Sequence, residues 1–283
     1  MATIKRRNAE AHTPPGLDKL KAIKEFIESP IIRADFDAIL GKGAPGFIVG
    51  IIQLVSQDKQ LQLADMQSLI NAAIRAAMLG LPLDANLHLA HIYPWKEQGT
   101  GKIYAQFQIG WRGLVQLCQA SDKYKTINVS DVRQGEYEGK DGLTGDYTWK
   151  WNQDQAARAS LPVVGYVSYF KLLTGFEKTV YWTIEELKEH AAKYSESFNM
   201  KGGSWETDFP SMAKKTVLKD NLSKWGPKST QLATAIEIDQ AILTGPEGKV
   251  EYLDNPTNQD EQKVRKSKAD KGLNALKAQL KKK

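Results

Sequence analysis

Eleven residues at positions 103–113, Ile-Tyr-Ala-Gln-Phe-Gln-Ile-Gly-Trp-Arg-Gly, restrict this chain more than any other stretch. The first seven alternate strictly, with Ile103, Ala105, Phe107 and Ile109 on one side of a strand and Tyr104, Gln106 and Gln108 on the other. A greasy face of this kind belongs to a half-buried strand turned toward a core. The opposite face offers a flat ring and two planar amides but no charge. Gly110 and Gly113 then bracket Trp111-Arg112, so the backbone can turn tightly and present an indole beside a guanidinium. Rings, amides and an arginine together suit an unpaired nucleic-acid strand. The same residues also describe a sheet edge with an incidental tryptophan, and taken alone they favour that plainer reading.

The elements around this strand predict an α+β core. Helices are expected at 17–27, 31–40 and 47–56, with a break at the glycine-rich 41–46. The strongest helix covers 66–81, where Met66, Leu69, Ile70, Ala73, Ile74, Ala77 and Leu81 keep helical spacing and Arg75 projects from the opposite face. Alternation at 87–93, a polar loop at 95–101 and the strand from Ile103 make a β-hairpin. A short helix at 114–120 follows, then strands at 126–132 and 147–151. The shared face of Tyr147, Trp149 and Trp151 reads as core. A second hairpin pairs 162–173 with 176–183, and Thr183-Ile-Glu-Glu186 forms a capping box that starts a helix. Helices at 209–225 and after Ser229 close the core, the last with Leu232, Ala235, Ile236 and Leu243 inward. The expected organisation is a flexible arm (1–16), one core (17–245) and a flexible basic tail (246–283).

Charge is unevenly divided. Residues 263–283 hold nine Lys or Arg and one Asp, a local +8, and subtracting that from the chain's +6 leaves −2 on residues 1–262. A near-neutral body can attract a polyanion only through a patch made by arrangement. The tail fits a solubilising arm and an electrostatic tether alike. No apolar run approaches the roughly 20 residues that span a bilayer, so no membrane partner is expected. The lone Cys118 cannot form an intrachain disulfide, which points to a cytoplasmic protein.

On the helix at 209–225, Leu218, Leu222 and Trp225 form an apolar stripe, while Lys215 and Lys219 lie four apart on a neighbouring face with Lys214 close by. Lysines on one side of a helix are ordinarily solvated surface. Beside the polar face of the hairpin they would supply phosphate contacts. On that reading, removing Lys215 and Lys219 together weakens DNA binding and leaves the fold intact. The rival is an enzyme: Asp131 with Glu138-Gly-Lys140 imitates the acidic-x-lysine core of a metal-dependent nuclease. The central glycine places that tripeptide in a turn rather than on a strand. A structural scaffold protein is the third class. The Gly41-Lys42-Gly43 run lacks the Gly-Lys-Ser/Thr ending of a phosphate loop.

Two blocks carry a family resemblance. Ala76-Ala-Met-Leu-Gly80-Leu-Pro82, then Tyr93-Pro94, then Gln106-Phe-Gln-Ile-Gly110-Trp-Arg-Gly113-Leu resemble the first hallmark region of the RecT family of phage single-strand annealing recombinases. The run 205–219, with Met212-Ala-Lys-Lys-Thr216, is similar to the second. The resemblance covers roughly residues 15–245. It implies a β-hairpin and small antiparallel sheet packed on a long central helix, with flanking helices. It implies a protein that needs no nucleotide or other cofactor, binds single-stranded DNA, pairs it with a complement and holds the annealed duplex. Rings or helical filaments of one chain are implied, with a partner exonuclease and a host single-strand-binding protein. Carried over, the DNA groove is lined by Arg75, Gln106, Gln108, Trp111 and Arg112 from the first block, and by Lys214, Lys215 and Lys219 from the second. The family commonly has Tyr where this chain has Trp111, which keeps a ring and removes a hydroxyl.

Overall fold

The computed structural model describes residues 15–252 apart from 98, 200, 240 and 245–248. Three helices come first: α1 (Pro15–Ile27), α2 (Pro30–Leu40) and α3 (Ala44–Gln57). Pro30 and Pro45 lie in first helical turns, where a missing N–H leaves no bond unmade. Ile23, Ile27, Ile32, Phe36, Ile48, Ile51 and Val55 send one face of each helix into the main core. Contrary to the sequence reading, the helical tract Pro30–Gln57 is long and apolar enough by length and composition to cross a membrane. Gly41, at φ 53°, and the short 3-10 turn Gly41–Gly43 divide it. At about 1.5 Å per residue the pieces span roughly 16 and 21 Å, short of a hydrocarbon layer of about 30 Å.

The central helix α4 (Met66–Met78) is capped by Asp65, whose side chain accepts from the Ser68 N–H at 2.8 Å. It is tied to the hairpin twice. Asp65 N donates to Ile103 O at 2.8 Å, and Ala105 N donates to Ser68 Oγ at 2.8 Å. The hairpin itself is β1 (Ala90–Lys96) and β2 (Ile103–Ile109), antiparallel with Ala90 opposite Ile109. Ala105, Phe107 and Ile109 face the core as their alternation requires. α5 (Trp111–Gln119) begins three residues before the expected start, directly after Gly110. A β-carbon on Gly110 would stand 2.2 Å from His88 O, and one on Gly113 2.2 Å from Leu89 O. The glycines therefore let the backbone leading into β1 lie against the first turn of α5.

β3 (Tyr124–Arg133), β6 (Val163–Leu172) and β7 (Glu177–Thr183) form the antiparallel sheet, in the order β3-β6-β7. Between β3 and β6 lie β4 (Tyr137–Lys140), β5 (Tyr147–Trp149) and α6 (Gln155–Ser160). The aromatic face of β5 is not core. Tyr147, Trp149 and Trp151 stack in sequence at 5.7 and 5.4 Å, with Lys140 over the first ring and Arg158 over the last, in a half-exposed ladder.

The capping box starts α7 (Ile184–Tyr194) as expected, with Thr183 and Glu186 satisfying each other's backbone donors. After α8 (Ser204–Thr207), the long α9 (Phe209–Trp225) lies across β6 and β7 and beside α5. α10 (Thr230–Ile238) is capped by Ser229 and stops at Ile238. Leu243, expected on that helix, belongs instead to β8 (Ala241–Thr244), which pairs with β9 (Lys249–Tyr252). The expected boundary at 245 thus falls between two paired strands. The described residues make one α+β core of small antiparallel sheets and helices. The expectations for residues 1–14 and 253–283 lie outside the described residues.

Candidate nucleic-acid interface

Strand pairing builds the outer face of the hairpin from both of its strands. His91 pairs with Gln108, Tyr93 with Gln106 and Trp95 with Tyr104. Paired side chains in an antiparallel sheet share a face, so planar, uncharged groups run along it in two columns. His91 and Tyr93 stack at 5.6 Å with 19° between their planes. This face forms one wall of a groove of about 930 Å³. The other wall comes from Lys201, Gly202, Gly203 and Ser204, and from Thr207, Asp208 and the first turns of α9. A half-buried Trp111 roots in the main core. Arg112 and Lys214 stand over its ring, 5.4 and 5.3 Å from the centre. One indole thereby joins the two hallmark blocks and holds a cation from each, an attraction of about 0.5–2 kcal/mol per contact.

Of the eight residues expected in the groove, Gln106, Gln108, Trp111, Arg112 and Lys215 line it. Lys214 reaches it through Trp111. Arg75 does not project outward: it is 3% exposed, because β2, α2 and β8 surround α4 and leave that helix no solvent face there. Gln108 is also buried, with Nε2 3.7 Å from the Met212 sulfur. Lys215 and Lys219 are not a solvated pair. Lys215 Nζ donates to Asp239 Oδ1 at 2.9 Å, and Lys219 Nζ to Asp239 Oδ2 at 2.8 Å. The Asp239 carboxylate is fully buried and also accepts the Ile109 N–H at 3.1 Å. Burial pushes its pKa up, but the two lysines outweigh burial and hold it below the usual carboxylate range.

The sequence reading missed His91, Tyr93 and Trp95. The signal was the alternation of β1 itself, which runs on to Lys96 where a loop was expected. Nothing in the sequence marks Asp239, a single acid after a helix.

His91 carries a pH consequence. Burial above all, then His88 and Lys215, lowers its pKa to about 4 against the opposing pull of Asp208. It is neutral at pH 7. Below pH 6.5 the unfolded chain takes up a proton that the folded chain refuses, so stability falls as pH drops from 6.5 toward 4. The slope is at most about 1.4 kcal/mol per pH unit. Thermal melts of the wild type and His91→Gln at pH 7.5, 6 and 5 should converge on acidification. A constant gap between them would show that His91 does not contribute.

The nuclease constellation is dismantled by its own partners. Asp131 is paired with Arg133 at 2.6 Å and Arg158 at 3.3 Å. Glu138-Gly139-Lys140 lies on β4, not in the expected turn, and Lys140 turns toward Tyr147. Among the described residues no group of three or more His, Cys, Asp or Glu side chains is placed to hold a metal ion.

The α+β body thus sets a hairpin faced with uncharged planar groups beside cations gathered from two distant blocks of sequence. The RecT family model matches residues 45–257, and the chain belongs to that family of DNA-recombination and single-strand annealing proteins. Its relatives include the uncharacterized protein YqaK of Bacillus subtilis (strain 168), 38% identical over 84% of this chain and 81% of that protein. Protein RecT of Escherichia coli (strain K12) is 24% identical over 83% of this chain and 86% of its own length.

Proposed function

We propose that the groove takes an unpaired DNA strand of any sequence and presents it to a complement, without ATP and without a covalent step. The supporting observation is the planar hairpin face lying beside Arg112 and Lys214, which meet over Trp111 at the groove. Cations meet phosphates irrespective of sequence. Amides such as Gln106 hydrogen-bond sugar or phosphate without choosing a base, which leaves base edges open to the second strand. Trp111 acts by holding Arg112 and Lys214 in place rather than by intercalating. Arg75, buried in α4 and outside the groove lining, is left out of the contact set.

Several copies act together as a ring or filament on the strand and on the annealed duplex, in the cytoplasm of a bacterial host. Exposed Ile31 on α2 and Val49 on α3 would favour contact with another copy. An exonuclease that produces the strand and a host single-strand-binding protein are the expected partners.

Fluorescence anisotropy with a labelled oligonucleotide of arbitrary sequence tests this reading. Log K should fall linearly with log salt. Arg112→Ala with Lys214→Ala should flatten the slope by about 1.4, about 0.7 per phosphate contact on a single strand. A wild-type slope near zero, or magnesium-dependent cutting of the oligonucleotide, would sink it.

A further inference from the structure

Asp239 is an oddity in a surface meant for phosphate. One buried carboxylate accepts from two of the four lysines on α9, Lys215 and Lys219, at 2.9 and 2.8 Å. Its third contact is the Ile109 N–H, one residue before the turn that carries Trp111 and Arg112. Two ammonium groups and a backbone N–H around a planar anion are the contacts that a strand phosphate would receive. The two lysines differ in access. Lys215 is almost wholly buried, whereas the Lys219 side chain keeps 30% of its surface in water. Asp239 therefore leaves the three charged groups with a net +1 and occupies the ammonium that could most easily reach outward.

We propose that Asp239 is an internal stand-in for phosphate, a positioning residue that limits how tightly the groove grips a strand. This inference rests on the groove reading above. Its functional sense is exchange: a protein that must let a bound strand pair with another gains from withholding one cation. Removing the carboxylate frees Lys219, adds a phosphate contact and slows annealing by holding the first strand too firmly.

The test uses the full chain and salt titrations of a labelled strand of about 40 nucleotides without self-complementarity. Asp239→Asn keeps the acceptor for Ile109 N–H but takes the Asp239 carboxylate away from the buried Lys215, so it can lose folding stability. Lys215→Met with Asp239→Asn removes the buried pair as a unit, which is far better tolerated than halving it. Its reference is Lys215→Met alone, in which Lys219 still has Asp239. Relative to that reference, the double variant should show a salt slope steeper by about 0.7, or about threefold tighter binding gained on a fourfold dilution of salt. Strand annealing at low salt should slow in parallel. Equal slopes and equal annealing rates in the two folded variants would overturn the proposal and leave Asp239 a structural clamp. If wild type binds no strand, the groove reading itself fails. If wild type binds normally and the slopes are equal, only the role of Asp239 fails.

Discussion

Lys215→Ala combined with Lys219→Ala is expected to lose about 3–5 kcal/mol of folding stability, a large share of what a domain of this kind possesses. The reason is the residue left behind. Asp239 has no exposed side-chain surface, and without its two lysines its carboxylate would keep, among the described residues, the Ile109 N–H. A charge in that position is either held unpaired at high cost or neutralised by a proton. Either result loosens the junction of α9, α10 and the end of β2. The sequence reading expected this double variant to bind DNA weakly with an intact fold, and the ion pairs reverse that expectation. Urea denaturation at pH 7 measures it directly. A midpoint within experimental error of wild type would mean that Asp239 finds other partners. Lys215→Met alone should cost much less, because Lys219 still reaches the carboxylate.

Gly113→Ala is expected to be the most damaging single methyl that can be added near the groove. Its β-carbon would stand 2.2 Å from Leu89 O and 2.9 Å from a side-chain carbon of Ile109. The first neighbour is backbone and has no rotamer to escape into. Overpacking costs typically run about 1–3 kcal/mol and sometimes more, and this contact belongs at the upper end. The segment around Leu89 must move away from α5, and Trp111 and Arg112 move with it. Strand binding should therefore fall together with the melting temperature. Gly50→Ala is the control, since a β-carbon there meets nothing within 4 Å in the interior of α3. That change should stabilise by about 0.5–1 kcal/mol. Equal melting temperatures for the two variants would show that the close approach at Gly113 is relaxed at no cost.

Much of the groove was legible in the sequence because local periodicity writes it there. Strict alternation over 103–109 determined which side of β2 meets the core, and the Thr183–Glu186 capping box determined where α7 begins. The glycines around Trp111-Arg112 read as a tight turn, whereas Gly113 lies inside α5 and both glycines let the helix start pack against the backbone entering β1. The family resemblance rests on the same stretches, so the class of protein was readable too.

Other features depend on residues distant in sequence. The alternation in β1 was cut short by a proline and a tryptophan that read as loop, although pairing with β2 carries both as strand. Arg75 sits on the polar side of a helix that looks amphipathic, yet its neighbours bury nearly the whole circumference. Helical spacing gives the direction of a side chain but not what lies in that direction. Lys215 and Asp239 are 24 positions apart, and no spacing rule connects a lysine on one helix with an acid beyond the end of the next. Local propensity and pattern act over a few residues, and they set the elements, their caps and the strand that faces the core. Whether a charge is solvated, paired or left to meet DNA is decided by desolvation and Coulomb terms that depend on three-dimensional neighbours. For this protein those neighbours exist only once α9, α10 and the hairpin have packed together.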